Sequence, residues 1–576
     1  MANNHEIERF EVVIVGSGVA GALSAYRLAL AGAKVLILEA GGFAPEEEHR
    51  VALVRKYKES STKSQSSPYR DVVAPQPNID APKGFGTDYY VQDPAGGAAN
   101  LFMSFYERLV GGATWHWQGL NIRMLPNDFR LHSEYGVGFD WPIGYDDLEK
   151  WYCEAELETG VAGDHDALNG LHGAYRSKSF PMPAIVSSYL DRRFEDALRD
   201  ESFDGVSLRV TTVPQARNSI DGFDGRKVCT GYGSCIPLCP IRAKYEAIFH
   251  VEKARDLGAQ LREKAVVTEL ECDADGRISA VNYIRWDGSK ASVSGKIVVI
   301  AANGIETPKI LLSSVRQNPD GVANSSGAVG RYLMDHPIKM SYALAKDPVY
   351  PFRGPPSTSS IESLRDGTFR AQRGAFRTTI RNDGWAWPAG APRGTDLTKP
   401  GTLLDFVGNK HLFGPSLKQA LAEHAQHQIV VNSAVEMLPN WDNRIFPSKN
   451  PSEVDRLGIP RPELQFHIDD YTRRSFLAAL RLHAQIFDRM QAKVFDLQGN
   501  QNPDAGSGHI MGTTIMGADA KTSVVDADCR SHDHPNLFIL GSSVFPTGST
   551  ANPTLTVAAL ALRAADTINL QLRQIG

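Results

Sequence analysis

The chain has 576 residues, of which 42% are hydrophobic and 22% are charged, as in ordinary soluble globular proteins. That length is too great for one compact core, so two or three domains are expected, and a net charge of −5 gives no reason to expect nucleic acid or an anionic membrane surface as a partner. No apolar run reaches the roughly 18 residues of a membrane helix. The first ten residues, MANNHEIERF, lack the zones of a signal peptide, so the chain is expected in the cytoplasm unless a partner exports it.

A dinucleotide site is predicted near the start of the chain. Residues 11–15, EVVIV, suit a buried parallel strand, and the following GSGVAG places Gly16, Gly18 and Gly21 in a G-x-G-x-x-G spacing. A helix over SAYRLALAGA and a second strand, KVLILEAGG, bring Glu39 to the end of that strand. In this order the glycines allow a tight turn, close approach of a pyrophosphate and close helix–strand packing, and Glu39 can bind a ribose diol. The alternative is a tight turn without a ligand.

Three cysteines are clustered in the segment CTGYGSCIPLCP, residues 229–240. Cys229, Cys235 and Cys239 have the spacing C-x5-C-x3-C, and Pro240 follows the last of them. Clustered thiolates favour an iron–sulfur cluster or zinc. Three ligands suit a 3Fe-4S cluster, whereas a four-iron cluster or structural zinc needs a fourth ligand. Zinc, or a disulfide with a spare thiol, remains the alternative, and the isolated cysteines are expected to be buried apolar residues: Cys153, Cys272 and Cys529.

Composition and periodicity predict three further elements. Residues 59–68, ESSTKSQSSP, are typical of a mobile surface loop. Residues 344–400 are rich in Pro, Gly and Arg and are expected to form loops. Residues 473–490, RRSFLAALRLHAQIFDRM, have the apolar spacing of a helix.

Five more segments carry a resemblance to a known family: RLVGGATWHWQG (108–119), IVVIAANGIETPKILL (297–312), VGRYLMDHP (329–337), HIMGTTIMG (509–517) and NLFILGSSVFPTGSTANPTLTVAALALRAADTI (536–568). With the glycine motif, this set resembles the glucose–methanol–choline (GMC) oxidoreductase family over most of the chain. Within the family it is most similar to the catalytic subunits of bacterial FAD-dependent sugar dehydrogenases, which include the glucose, fructose, sorbitol and gluconate 2-dehydrogenases. The resemblance is weakest over about residues 50–100 and 340–435.

The resemblance implies an α/β fold in two parts. A discontinuous Rossmann-like FAD-binding domain is expected from residues 1–180, 205–335 and 505–576, and a substrate domain with a mainly antiparallel sheet from residues 336–504. The residues expected to bind FAD are Gly16, Gly18, Gly21, Glu39, Gly111, Gly112, Thr114, His116, Ser542, Asn552 and Pro553.

One of these positions departs from the family pattern, and another allows two interpretations. Many members carry an acid before the serine of the last strand, whereas this chain has Gly541, Ser542 and Ser543, so backbone groups must bind the cofactor there. Some members attach FAD covalently to a histidine in the region of His116, and simple packing of His116 against the flavin is the alternative.

The resemblance also implies the chemistry. Oxidation of an alcohol carbon sends a hydride to the flavin and a proton to a base, and the base is expected to be His509, with Asn552 facing the substrate hydroxyl. The alternatives are loop hydrogen bonding by His509 and helix capping by Asn552 ahead of Pro553. The other histidines considered are expected to have supporting roles: His336, His532 and His534.

The resembled dehydrogenases carry a 3Fe-4S cluster at the cysteine segment, a small subunit with the export signal and a cytochrome c that accepts the electrons. A sugar is therefore the expected substrate, and the expected location is the periplasmic side of the inner membrane through partner subunits. A glycoside 3-dehydrogenase and an oxygen-using sugar oxidase are the alternatives, the oxidase being disfavoured by the cysteines. A non-catalytic electron-transfer flavoprotein would have no need of His509 and Asn552.

Overall fold

The computed structural model describes residues 7–43, 50–51, 89–92, 101–104, 106–236, 238–385, 405–497 and 506–575. The predicted loop at residues 59–68 lies outside the described residues, and so does the end of the predicted loop region, residues 386–400. None of the helices in the described ranges is long and apolar enough to cross a membrane.

The helices of the described ranges are distributed along the whole chain. The α-helices are α1 (Val19–Leu30), α2 (Leu131–Tyr135), α3 (Tyr145–Thr159), α4 (His165–Leu168), α5 (Tyr189–Leu198), α6 (Ile248–Asp256), α7 (Asn303–Ser313), α8 (Gly414–Gln426), α9 (Asp470–Arg489) and α10 (Thr554–Ile575). Short 3-10 helices occur at Gly112–Trp115, Pro126–Phe129, Phe223–Gly225, Thr368–Ala371 and Ser542–Val544, and a π-helical turn at Asp405–Asn409.

The strands form two large sheets and three small ones. They are β1 (Glu8–Val15), β2 (Val35–Leu38), β3 (Val91–Gln92), β4 (Ala162–Gly163), β5 (Met182–Pro183), β6 (Ser202–Phe203), β7 (Val206–Ser207), β8 (Val210–Thr212), β9 (Gln260–Arg262), β10 (Ala265–Cys272), β11 (Ile278–Arg285), β12 (Lys290–Ile300), β13 (Ile338–Leu344), β14 (Ser359–Ile361), β15 (Phe376–Arg381), β16 (Gln428–Val435), β17 (Arg444–Pro447), β18 (Pro462–Gln465), β19 (Lys493–Leu497) and β20 (Leu537–Ile539). The small sheets are β17-β18-β3, β4-β5 and β6-β7.

The first large sheet has seven strands and a parallel centre. Its order is β10-β11-β12-β1-β2-β9, and β20 pairs in parallel with the end of β12. β1 is parallel to both β12 and β2, and the continuous apolar runs of these strands are fully buried, as expected for strands covered on both faces. α1 and α10 belong to the same hydrophobic core as these strands. The predicted strand–glycine loop–helix–strand unit is confirmed.

The second large sheet has six strands in the order β19-β13-β16-β15-β14-β8, and all neighbours are antiparallel. Its core includes the apolar face of α9, from Phe476 to Phe487. The predicted helix over residues 473–490 is therefore confirmed; it begins slightly earlier, where the Asp469 carboxylate accepts a hydrogen bond from Thr472 N.

The predicted fold class is confirmed: a Rossmann-like α/β part is joined to an antiparallel sheet. The loop prediction for residues 344–400 is wrong for β14 and β15, because pairing with β8 and β16 orders this Gly- and Pro-rich region into strands. β8, within the piece 205–335, also pairs with the second sheet. The proposed domain boundaries stay a prediction.

Candidate active site

The glycine loop after β1 is shaped by close packing on two sides. A Cβ atom on Gly16, which has φ +97°, would lie 2.5 Å from Ala301 O, and one on Gly21 would lie 2.0 Å from Gly16 O. At Gly18 no atom lies within 4 Å of that position in the part of the chain that is described. Gly18 also precedes α1, which has no side-chain cap, so the first N–H groups of this helix have no side-chain acceptor at the cap and suit a phosphate.

Glu39 ties this loop to its neighbours. Its Oε2 accepts hydrogen bonds from Ser17 N at 2.9 Å and Ser17 Oγ at 2.6 Å, and its Oε1 accepts from Gly41 N at 2.8 Å. Ser17 Oγ in turn accepts from Gly111 N at 3.1 Å. Burial raises the pKa of Glu39, and these donors oppose that effect. A carboxylate at this position has further lone pairs with which to bind a ribose hydroxyl.

The second glycine segment, residues 111–116, lies directly over the first. A Cβ atom on Gly112 would be 3.1 Å from Gly18 Cα. Thr114 holds the turn: its hydroxyl donates to Gly111 O at 2.6 Å and accepts from Ala247 N at 2.9 Å. His116 Nε2 lies 3.7 Å from a carboxylate oxygen of Glu107, and covalent attachment at His116 stays a prediction.

His336 and His509 form a hydrogen-bonded pair that determines which nitrogen carries each proton. His336 Nε2 lies 3.0 Å from Gly548 O, which can only accept, so this nitrogen must carry a hydrogen. Neutral His336 then has a bare Nδ1, which lies 2.8 Å from His509 Nδ1. His509 therefore donates from Nδ1 and keeps its Nε2 lone pair free to act as a base.

Asn552 is placed at that lone pair. Its Nδ2 donates to His509 Nε2 at 2.9 Å, and its Oδ1 accepts from Arg377 Nη2 at 3.1 Å. The assignment of the amide oxygen and nitrogen follows from this network, because a guanidinium has only donors. Both polar atoms of the Asn552 side chain are thus directed at neighbouring side chains rather than at the start of α10.

Burial keeps this histidine pair neutral. It lowers the pKa of His336 to about 4. His509 and Asn552 keep part of their surface accessible, yet burial of the ring, followed by His336 and Arg377, lowers the pKa of His509 well below its ordinary value. Both imidazoles are therefore neutral at neutral pH, and His509 can accept a proton.

Asp335 positions the backbone on both sides of the pair. Its Oδ1 accepts hydrogen bonds from His336 N at 2.7 Å and His509 N at 3.0 Å, and its Oδ2 accepts from the Ser104 hydroxyl. Burial raises the pKa of Asp335 to about 6. One buried carboxyl group thus fixes two loops that are far apart in sequence.

Of the remaining predicted residues, Ser542 and Pro553 lie near this centre and two histidines do not. Ser542 Oγ, in the 3-10 helix that follows β20, donates to Ile510 O at 2.5 Å and so connects this helix to the His509 loop. α10 begins directly after Pro553. His532 and His534 lie elsewhere: the first contacts Ser523 Oγ at 3.0 Å, and Nδ1 of the second contacts a backbone carbonyl at 2.7 Å.

All six cysteines are free thiols. Of the predicted ligands, Cys235 and Cys239 are buried and Cys229 is half-buried. Within the described ranges, no three His, Cys, Asp or Glu side chains are grouped so as to hold a metal ion. Cys229, Cys235 and Cys239 as cluster ligands stay a prediction.

A buried ammonium group links the cysteine segment to the second glycine segment. Lys244 Nζ donates to the carbonyl oxygens of Thr114, Trp115, Trp117 and Cys235, at 3.0, 2.8, 2.9 and 3.1 Å. Burial lowers its pKa. Lys244 thus anchors both segments through one charged group.

Further cations surround the buried cysteines. Arg50 donates to Cys239 O at 3.1 Å and pairs with Glu246 at 2.9 Å. Arg217 and Arg226 are also buried, and both Nη atoms of Arg217 have no hydrogen-bond partner among the residues that the structure describes. Buried cations in excess of nearby carboxylates favour an anionic occupant, such as a thiolate-bound cluster.

Three residues of these sites were not predicted: Arg377, Asp335 and Lys244. Asp335 could have been found, because it precedes His336 in the segment that carries the family resemblance. Arg377 lies where the resemblance is weakest, and Lys244 binds backbone carbonyls, so neither has a recognisable signal in the sequence.

The amino-acid sequence matches known proteins over nearly its full length. The sequence profiles described as GMC oxidoreductase match residues 223–338 and 450–561. The chain is 37% identical to the fructose dehydrogenase large subunit of Gluconobacter japonicus, with 98% of each chain covered. It is 29% identical to the 2-methyl-1,2-propanediol dehydrogenase of Mycolicibacterium austroafricanum, covering 99% of this chain and 96% of the relative.

A solved structure shows the same fold. The crystal structure of pyridoxine 4-oxidase from Mesorbium loti matches with a TM-score of 0.64 and 18% identity, over 97% of this chain and 99% of the other. Together with the sequence identity over nearly the full length, these matches establish that the chain belongs to the GMC oxidoreductase family.

Proposed function

We propose that this chain is an FAD-dependent dehydrogenase that oxidises a hydroxyl group of a sugar or sugar-derived substrate. The observation that carries the proposal is the unprotonated Nε2 of His509, which accepts a hydrogen bond from the Asn552 amide where both residues are partly accessible. FAD, when bound, accepts the hydride at N5. The sugar class is supported by the name of the relative with 37% identity, a fructose dehydrogenase.

The protein side of the reaction is a proton transfer. The substrate hydroxyl replaces the 2.9 Å contact between Asn552 Nδ2 and His509 Nε2, donating to the imidazole and accepting from the amide. His509 then removes the hydroxyl proton as the C–H bond is broken, which is typically worth roughly 10²–10⁴ in rate. His336 keeps His509 in the tautomer whose Nε2 carries no proton, and Asp335 fixes the backbone N–H groups of His336 and His509.

The residues around Gly18 fit the cofactor. The position next to Gly18 is open, α1 offers uncapped N–H groups, and Glu39 lies at the end of β2. We assign the pyrophosphate to the glycine loop, the ribose to Glu39 and the flavin to the segment from Gly111 to His116.

We also propose that Cys229, Cys235 and Cys239 would hold a 3Fe-4S cluster, which would supply one-electron transfer towards a cytochrome c. The spacing and the buried cations Lys244 and Arg217 support this proposal. The name of the relative, a large subunit, supports partner subunits. The periplasmic location is part of the same proposal and rests on the family resemblance alone.

The first experiment compares His509→Ala with His532→Ala as a matched control. Each purified protein is mixed anaerobically with a panel of aldoses, ketoses, polyols and aldonic acids, and flavin bleaching is followed. We expect one sugar class to reduce the wild-type flavin, His509→Ala to slow this step by about 10²–10⁴, and His532→Ala to leave it unchanged. Equal rates in wild type and His509→Ala contradict the assignment of the base.

The second experiment concerns the cysteines. Iron and labile sulfide analysis, with EPR of the oxidised protein, should show a three-iron cluster that Cys235→Ser lacks while its FAD content is kept. Zinc in place of iron contradicts the cluster. Rapid flavin reoxidation by oxygen alone, at the rate of turnover, contradicts the dehydrogenase in favour of an oxidase.

A further inference from the structure

Asp335 is a buried carboxylate that no cation balances within the described ranges. It is only 3% exposed, and no Lys or Arg side chain of these residues pairs with it. The groups that hold it are neutral hydrogen-bond donors: His336 N, His509 N and the Ser104 hydroxyl. A buried charge without a counter-charge is unfavourable, so its retention needs a reason other than stability.

The anchoring of the two loops does not require this charge. The amide oxygen of an asparagine could accept the same hydrogen bonds from His336 N and His509 N. A Cβ atom on Gly506 would collide with both Ser104 and Asp335, so the carboxylate is closely enclosed by the segments that it joins. A charge enclosed in this way acts on its neighbours with little screening.

The titratable groups that face Asp335 in the described part of the chain are His336, His509 and Tyr90. Burial lowers the pKa of both histidines. The pKa of Tyr90 is raised well above its ordinary value by burial and by nearby acidic groups that include Asp335, so Tyr90 keeps its proton. All three groups are therefore neutral at neutral pH. Of the three, His509 is the one that gains a positive charge in the proposed proton transfer.

The other charges around His509 do not favour its protonation. Arg377 lies on the far side of the Asn552 amide, and its positive charge contributes to the lowered pKa of His509. Two carboxylates of the neighbouring second sheet are already paired with arginines: Glu362 with Arg365, and Glu436 with Arg370. Among the residues that the structure describes, Asp335 is thus the carboxylate left to balance a charge on His509.

We propose that Asp335 is a positioning residue whose negative charge stabilises the imidazolium that His509 becomes when it removes the hydroxyl proton. The inference rests on the proposed function, because it takes His509 as the base. In that step the hydroxyl proton bonds to His509 Nε2, the oxygen keeps the electron pair, and the imidazole gains one positive charge. The carboxylate accepts a hydrogen bond from His509 N at 3.0 Å, so it is in place before the charge forms. An opposite charge within about 4–6 Å typically favours the charged form of a group by a factor of about 10–1,000.

The test measures flavin reduction in the FAD-loaded full chain by anaerobic stopped flow, from about pH 5 to about pH 8.5, with the sugar that bleaches the wild-type flavin fastest. Asp335→Asn removes the charge and keeps an acceptor for the two backbone N–H groups. Ser104→Ala keeps the charge and removes one donor to it. Asp488→Asn, which removes an exposed carboxylate on α9, is the control. Melting temperature and FAD content are measured on the same preparations.

We expect the wild-type rate to fall as the pH falls through about 6, because the pKa of Asp335 is about 6. Asp335→Asn should be about 10–100-fold slower than the wild type at about pH 8 and should approach it at about pH 5, where both lack the charge. Its melting temperature at about pH 8 should equal or exceed that of the wild type, since an unpaired buried charge has been removed. Ser104→Ala should move the midpoint of the pH profile upwards, because the Ser104 hydrogen bond lowers the pKa of Asp335. Asp488→Asn should match the wild type.

An Asp335→Asn variant that reduces its flavin as fast as the wild type at about pH 8 overturns the proposal. A slower variant that has also lost FAD, or that melts at a lower temperature, overturns it too, because loss of the anchor then explains the rate. If Asp335→Asn does not fold, Ser104→Ala decides, and an unmoved midpoint overturns the proposal. The proposed function fails separately, when no sugar reduces the wild-type flavin or when His509→Ala reduces it at the wild-type rate.

Discussion

The role of His336 in fixing the tautomer of His509 can be tested by replacing His336 with methionine. Methionine resembles glutamine in length and shape but offers no strong acceptor to His509 Nδ1 and no donor to Gly548 O. His336→Met therefore leaves the Nδ1–H of His509 without its 2.8 Å partner. His336→Gln is the matched control, because its amide can accept from His509 and donate to Gly548.

The size of the effect follows from the lost hydrogen bond. A buried donor left without a partner costs about 1–3 kcal/mol, and about 1.4 kcal/mol corresponds to a factor of ten in rate. The same loss favours the other tautomer of His509, in which Nε2 carries the proton and cannot act as a base. We expect His336→Met to slow flavin reduction by about 10–100-fold, less than removal of His509 itself.

The assay is anaerobic stopped-flow bleaching of the flavin at saturating substrate, with FAD content and melting temperature measured on the same preparations. His336→Gln should retain most of the wild-type rate. The reasoning is refuted if His336→Met, with full FAD content, reduces its flavin as fast as His336→Gln, since the orientation of the proton on His509 would then not matter.

Three further predictions concern pH and packing. Because burial lowers the pKa of His509 and brings that of His336 to about 4, neither histidine should titrate between about pH 7 and about pH 5. A loss of flavin reduction rate in that range should instead follow Asp335, whose pKa burial raises to about 6, and should be absent in Asp335→Asn; a loss centred near about 6.5 that persists in this variant contradicts the reasoning. Gly16→Ala should lower the melting temperature, because the added Cβ would lie 2.5 Å from Ala301 O. Gly18→Ala should melt like the wild type but contain less FAD, because the position beside Gly18 is open and is assigned to the cofactor. Equal melting temperatures and equal FAD contents in the two variants contradict these roles. Burial raises the pKa of Glu306, but the charges of Lys309 and Arg108 outweigh this effect and bring the pKa to about 2. The ionised carboxylate therefore stabilises the fold by ~3 kcal/mol above about pH 4.5, and this stabilisation is lost as the pH falls towards 2. Denaturant unfolding should show that the wild type loses its stability advantage over Glu306→Gln in that pH range.

The unit of β1, α1 and β2 could be predicted because its information is local. The apolar runs of β1 and β2, the spacing of Gly16, Gly18 and Gly21, and the acid at Glu39 all fall within the first 40 residues, and each acts on its near neighbours in the chain. The structure gives each glycine a distinct environment, with two closely packed and one open.

The substrate side could not be predicted in the same way. β15 reads FRTTIR within a Gly- and Pro-rich region, and its place in the sheet depends on β16, which follows many residues later. The position of Arg377 beside Asn552 therefore requires the strand pairing to be known. The contacts of Lys244 could not be predicted for another reason. Its acceptors are backbone carbonyl groups, which every residue has, so no pattern of side chains indicates them.

The discontinuous parallel sheet has a consequence for synthesis on the ribosome. β1, β2 and the glycine loop emerge early, but β12, whose Val293 pairs with Glu8 of β1, is translated much later, and β20, which pairs with β12, later still. Until then the apolar edge of β1 is unpaired, and such edges promote association between chains. At about 5–20 residues per second the nascent chain spends many seconds in this state. We therefore expect that shielding of the first strands, until the residues that complete the sheet have been released, favours efficient production of the protein.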